Sequence, residues 1–210
     1  MINSPLALFQ QSPIAAIVFV LAVVVAITVH EFAHAWTALK LGDPTPLHDG
    51  RVTLNPAAHI DPIGGLMFLL VGFGYGRPVI YNPMRLHRRV DELLVALAGP
   101  ISNIILAFIC HLIFSIEATA HVFLINADFL SLIILVNLTL AAFNMLPIPP
   151  LDGSSIIAYF WPEYRSLVGG QIGIVLLLIL IVLSGTLLNT IMNPIIHVFG
   201  QISSLFGLLP

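Results

Sequence analysis

The chain has 210 residues, of which 59% are hydrophobic and 8% charged, with a mean hydropathy of +1.05. That balance excludes an ordinary soluble domain and places the chain in a bilayer. Seven Lys and Arg against ten Asp and Glu leave a formal charge of −3, which excludes nucleic acid as the main partner, and the single cysteine, Cys110, excludes an intrachain disulfide or a Cys-rich metal cluster.

In chain order, Ser12-Pro13 reads as a helix start and Gly42 with Pro44 as a stop, which predicts a first helix over about residues 13–41. No Lys or Arg precedes Lys40, so this run lacks the basic region of a secretory signal and reads as a retained span. Its length of roughly 43 Å exceeds the roughly 30 Å hydrocarbon core, and its polar last third holds His30, Glu31 and His34. Residues 42–90 form an insert rich in Pro, Gly, His and charge, in which 51–54 and 79–81 read as strands. Within it, apolar residues 63–73 are too few to span, and Gly64, Gly65 and Gly72 weaken a helix, which predicts a re-entrant or interfacial hairpin.

Asp91 and Glu92 favour the N-terminus of a second span over 93–116, and a third follows over 129–146. Pro147-Ile148-Pro149-Pro150 cannot continue that helix, so the chain must unwind at membrane depth, a conformation tolerated only against protein or a wet cavity. A fourth span is expected from Gly170 to about Met192, and the apolar tail 194–210 is left unassigned. The expected fold is an all-α polytopic membrane protein with about four transmembrane helices and a small β-containing insert. It forms one domain over 1–210 with its core at 13–193.

All the basic residues lie between the first and second spans or, for Arg165, between the third and fourth. The positive-inside rule then puts the insert and the proline turn on the cytoplasmic side, and His30 and His34 in the cytoplasmic half of an integral, multi-pass protein.

His30-Glu31-Phe32-Ala33-His34 places two imidazoles at i and i+4 on one helix face, a spacing that grips one metal ion. Neutral imidazoles suit Zn²⁺, a water on such a metal ionises near neutral pH, and Glu31 is placed to act as its general base. With 8 His and 4 Glu in the chain, random composition gives this pattern roughly 0.006 times. Ionisable groups inside an apolar span are costly, which favours a functional role over a structural one. A catalytic zinc needs a third ligand, and the candidates are His48, His59, Asp43, Asp61, His111 and Asp152. Asp152 is preferred for its place after the broken helix, although Asp152 ahead of Gly153-Ser154-Ser155 reads equally well as a helix cap.

The His-Glu-x-x-His motif, together with Asn144-x-x-Pro147-x-Pro149-x-Leu151-Asp152-Gly153, resembles the site-2 protease family of intramembrane zinc metalloproteases. Gly99-Pro100-x-x-Asn103 resembles a further family pattern, and residues 50–56 with His59 are similar to compact bacterial and archaeal members. The resemblance covers most of residues 20–160 and is to the minimal form without PDZ or CBS domains. It implies one Zn²⁺ per chain held by His30, His34 and Asp152, with Glu31 activating water and Asn144 positioning substrate or the oxyanion. It also implies a transmembrane protein substrate, as in regulated intramembrane proteolysis, with an accessory partner or oligomer allowed.

Asn103 and His59 are kept as further candidates near substrate, Asn103 also for a place behind the ligands and His59 also as a loop anchor or gate. Asn137 reads more simply as a hydrogen bond between helices. Two strands in residues 50–81 would be suited to holding an unwound substrate by edge pairing. The competing classes are a membrane metal-ion transporter, a membrane zinc hydrolase of another substrate class, and an inactive scaffold. Transport would need polar positions through more of the membrane, and a scaffold would have no need of Glu31.

Overall fold

The computed structural model describes residues 4–71, 74–120, 127–168 and positions 170–173, 175–176 and 179. Helix α1 (Pro5–Gln11) is followed at once by α2 (Pro13–Lys40). Both begin with a Ser-Pro pair, in which the serine hydroxyl accepts an amide hydrogen three residues on, from Ala7 to Ser4 and from Ala15 to Ser12. Proline at the first helical position lacks only an N–H that would have no partner there. Helix α2 ends where expected, at Gly42, whose φ of +108° is open to glycine and strained for other residues.

One face of α2 carries Ala22, Ala26, His30, His34 and Ala38, spaced by four and all buried. Small residues at that spacing let other helices approach closely. They face α5 (Arg89–Ala120) and α6 (Ala127–Asn144), which also pack on each other, with Cys110, Leu130 and Ile133 closing the core around Ala22. The outer face is different. Only 28% of the most apolar window of α2 is buried, and Ile14, Ile17 and Leu21 are exposed, a surface suited to acyl chains.

Helices α2 and α5, the latter up to Ile116, are long and apolar enough to cross a membrane, and apolar Phe129–Asn144 in α6 is shorter. The first two expected spans therefore correspond to α2 and α5, and α6 occupies the place of the third. The fourth, and the tail 194–210, fall largely or wholly outside the described residues. Helix α5 starts ahead of the expected residue 93, because buried Asp91 accepts from the Arg88 amide at 2.9 Å and pairs with its guanidinium at 3.1 Å. Helix α6 stops before Pro147, and after the predicted unwinding the chain re-forms as α7 (Asp152–Phe160) and α8 (Tyr164–Val168).

The insert corrects two expectations. Among the described residues there is no strand: 51–54 and 79–81 are irregular, and the pairing is reduced to one antiparallel bridge between Ile60 and Gly76. The β-branched residues at 52, 53, 79 and 80 suggested ladders, but the backbone here is held by side chains. Buried Arg51 donates to the carbonyls of Ala58 and Arg77, and His59 Nε2 donates to Thr53 O at 2.7 Å. The second correction concerns 63–73, whose described part, to Val71, is helical: it lies in α4 (Pro62–Val71), which follows the single-turn α3 (Thr45–His48). Asp61 caps α4 by accepting from Ile63 and Gly64, each at 2.9 Å, and Pro62 takes the first helical position. Gly64 is not a weak point in that helix but a close approach, since a Cβ there would stand 2.1 Å from Tyr75 O.

Asp43 fastens the insert to the end of α2. It is fully buried and accepts from the Thr45 hydroxyl at 2.6 Å, the Thr45 amide at 3.0 Å and the Asn82 amide at 2.5 Å. Burial alone would raise its pKa, but these donors, Thr45 first, hold it below the ordinary carboxylate value. A depressed folded pKa means that the stabilisation is complete above the unfolded value of about 3.9 and is lost as pH falls through the folded one. Asp43→Ala is expected to lower unfolding stability by about 2–3 kcal/mol through its stranded donors, read by thermal melting in micelles. The gap to wild type should narrow below about pH 4.

Candidate metal centre

His30 and His34 project from the inner face of α2, and Asp152 reaches them from the first turn of α7. The two Nε2 atoms are 3.0 Å apart, and Asp152 Oδ2 lies 3.2 Å from that of His30 and 3.3 Å from that of His34. The N-cap of α7 is Leu151, with no side-chain capping bond, and the Asp152 carboxylate faces the imidazoles.

The protonation of both rings follows from their other nitrogens. His34 Nδ1 is 2.7 Å from Val95 O, a carbonyl that can only accept, so His34 carries its proton there. His30 Nδ1 is 2.7 Å from Asn103 Oδ1 and donates to it. Each neutral ring then presents a bare Nε2 lone pair to the other and to a carboxylate oxygen that is buried without a hydrogen-bond donor. Three electron-rich atoms so close repel unless a cation lies among them. Tetrahedral ligands at about 2.0–2.1 Å from zinc stand about 3.3–3.4 Å from one another, close to the observed separations. The donor set and its spacing fit zinc.

Two glycines make room for this arrangement. A Cβ on Gly99 of α5 would stand 2.3 Å from His34 Nε2 and 2.6 Å from His30 Nε2, and one on Gly153 would stand 2.2 Å from Met145 O. Gly99 lets α5 lie against the ligands, and Gly153 lets the first turn of α7 press on the unwound end of α6.

Glu31 is 15% exposed and points toward the insert. Its Oε2 accepts from the Val79 amide at 3.0 Å and lies 4.0 Å from Arg51 Nη2, and Gly76 passes close to its other oxygen. Burial draws the Arg51 pKa down, with Glu31 acting against that shift. Sequence reasoning missed Arg51, Val79, Gly99 and the Val95 carbonyl. Only Gly99 and Arg51 left a signal, in the Gly-Pro pair and in the run 50–56.

The other candidates lie elsewhere or in other roles. Asn103 is fully buried behind His30. Asn144 Nδ2 bonds Leu140 O in its own helix at 3.0 Å. Fully buried His59 anchors the insert through Thr53. Of the remaining third-ligand candidates, Asp43 fastens the insert, Asp61 caps α4, His48 is exposed in α3 and His111 is buried in α5. Among the described residues His30, His34 and Asp152 form the one group of three or more such side chains that comes together to hold a metal.

The peptidase family M50 model matches residues 111–184. YwhC of Bacillus subtilis, named as a zinc metalloprotease, is 42% identical over 145 residues, 66% of this chain and 66% of that protein. Rip2 of Mycolicibacterium smegmatis, similarly named, is 33% identical over 65% of this chain and 55% of its own length. Rip2 of Mycobacterium tuberculosis is 32% identical over 74% and 63%. The chain thus spans slightly less than two thirds of the length of YwhC and of the Mycobacterium tuberculosis Rip2, and about half of the Mycolicibacterium smegmatis protein. No solved structure matches it.

Gly99→Ala is expected to leave helix content unchanged while weakening zinc binding by roughly 10- to 100-fold, the scale seen when the surroundings of a metal ligand are disturbed. Competition with a chromophoric chelator on the purified protein in micelles reads this directly.

Proposed function

We propose that the chain, which belongs to peptidase family M50, the site-2 protease family, is a zinc metalloprotease that cuts peptide bonds within or near transmembrane segments of other membrane proteins. The observation that carries this reading is the convergence of two imidazole lone pairs and a donorless carboxylate beside Glu31. Zinc held by His30, His34 and Asp152 would supply the Lewis acidity that makes water a nucleophile near neutral pH.

Glu31 then has the chemistry of the general base. It takes the proton of the attacking water and returns it to the leaving amine, and its hydrogen bond to the Val79 amide holds the carboxylate in place. Val95 O and Asn103 keep both imidazoles in the tautomer that leaves Nε2 free. Asn144, at the broken end of α6, stands as the candidate for substrate positioning. The relatives bear protease names and none a transporter name, so the transport alternative gains no support.

A multi-pass protein fits the apolar α2, α5 and α6, and the basic insert supports a cytoplasmic position for residues 42–90 and the proline turn. The site then opens to the cytoplasmic half of the bilayer, in the plasma membrane if the host is prokaryotic. The substrate segment must unwind locally, because a helix hides its carbonyls in its own hydrogen bonds.

Glu31→Gln is expected to retain zinc and to cut single-span substrates in micelles about 10²- to 10⁴-fold more slowly than wild type. Equal cleavage by both proteins would refute Glu31 as the base. Asp152→Asn is expected to lower zinc content and activity together, whereas full zinc occupancy would remove Asp152 from the ligand set.

A further inference from the structure

Asn137 lies in the middle of α6, is fully buried, and touches none of the three residues that converge on the metal centre. It is nevertheless joined to them by a continuous set of hydrogen bonds across three helices. Asn137 Nδ2 donates to Ile133 O at 2.8 Å, one turn earlier in α6. Asn103 Nδ2, on α5, donates to Asn137 Oδ1 at 2.7 Å and to Ala26 O of α2 at 3.0 Å. Asn103 Oδ1 accepts from His30 Nδ1 at 2.7 Å.

The direction of this series is determined by its ends. Ile133 O and Ala26 O are backbone carbonyls and can only accept, so each amide must turn its NH₂ toward them. That leaves Asn137 Oδ1 facing Asn103, and Asn103 Oδ1 facing His30. His30 meets an acceptor and must bring its proton to Nδ1, which strips Nε2 of hydrogen on the side of Asp152. Rotating either amide would place oxygen against a carbonyl in an apolar interior, where an unmade hydrogen bond is costly.

We propose that Asn137 is a positioning residue of the metal centre: acting only through Asn103, it locks His30 in the Nδ1–H tautomer that offers Nε2 to zinc. The proposal rests on the zinc reading above. The plainer role, a polar contact that packs α6 on α5, predicts a different result when the two asparagines are changed together.

The test is a double-mutant cycle on zinc affinity, measured by chelator competition on the full-length protein in micelles. Asn137→Ala is expected to weaken zinc about tenfold, and Asn103→Ala by at least as much. In the Asn103→Ala background, Asn137→Ala is expected to add less than about twofold, because its route to His30 is already cut. Equal losses in both backgrounds, or unchanged affinity in Asn137→Ala, would overturn the relay while leaving the zinc reading in place. Nitrogen-15 shifts of the His30 ring, assigned against His30→Gln, need no asparagine variant to fold. Zinc-free wild type should show the Nδ1–H form, and an Nε2–H signature would overturn the proposal. Wild type that takes up no zinc would overturn the zinc reading and the relay with it.

Discussion

Two imidazole nitrogens and a carboxylate oxygen facing one another within 3.3 Å, with each ring's other nitrogen already bonded elsewhere, is an arrangement no protein interior favours unaided. Its persistence has to be secured from behind, and much of the bundle serves that end. The alanines on the buried face of α2 bring α5 and α6 to close range. The absence of a side chain at Gly99 lets α5 touch both rings, and the same absence at Gly153 seats α7 on the broken end of α6. Contacts that would be routine packing in another helical bundle here control the spacing of three donor atoms.

The polar groups obey the same logic. In an apolar interior an amide has few partners, so its orientation is decided by whichever carbonyls are within reach. Val95 O settles His34, and the carbonyls of Ala26 and Ile133 settle His30 at a distance. Glu31 stands apart from this system. Its carboxylate turns away from the helices to the insert, where the Val79 amide and the Arg51 guanidinium meet it. One turn of α2 thus serves two environments, with the imidazoles facing the bundle and the carboxylate facing the loop.

What could be read from the residues follows from how local each signal is. The α2 limits and the His-Glu-x-x-His face were legible because Ser12-Pro13, Gly42 and the i, i+4 spacing all act within a few residues. The unwinding after α6 was legible for the same reason, since consecutive prolines exclude a helix whatever surrounds them. Asp152 was left between cap and ligand because spacing cannot say where a carboxylate points; the capping position one residue earlier, at Leu151, and the approach of α7 to α2 are long-range facts. The strands at 51–54 and 79–81 were misread because β-branched residues were weighed without knowing that His59 would take the Thr53 carbonyl and Glu31 the Val79 amide. Asp61-Pro62 was a readable helix start, obscured by the two glycines after it. Asn137 was legible as a hydrogen bond between helices, but its link to His30 was not, because that depends on partners 34 residues away in α5 and, through them, in α2.

The insert has a further property that follows from how it is tied. Its own turns are held by neighbours in sequence, as where Asn55 accepts from Ala57, Asp61 from Ile63 and Gly64, and Asn82 from Met84. Its moorings to α2 are distant in sequence, among them Glu31 with Val79 and Arg51, and Phe19 with Phe68. Contacts of short range depend only on the segment's own sequence, whereas those of long range depend on the bundle being formed. The turns of the insert and its docking on the bundle are thus separate sources of stability, the first local in sequence and the second shared with Phe68 of α4 against Phe19 of α2.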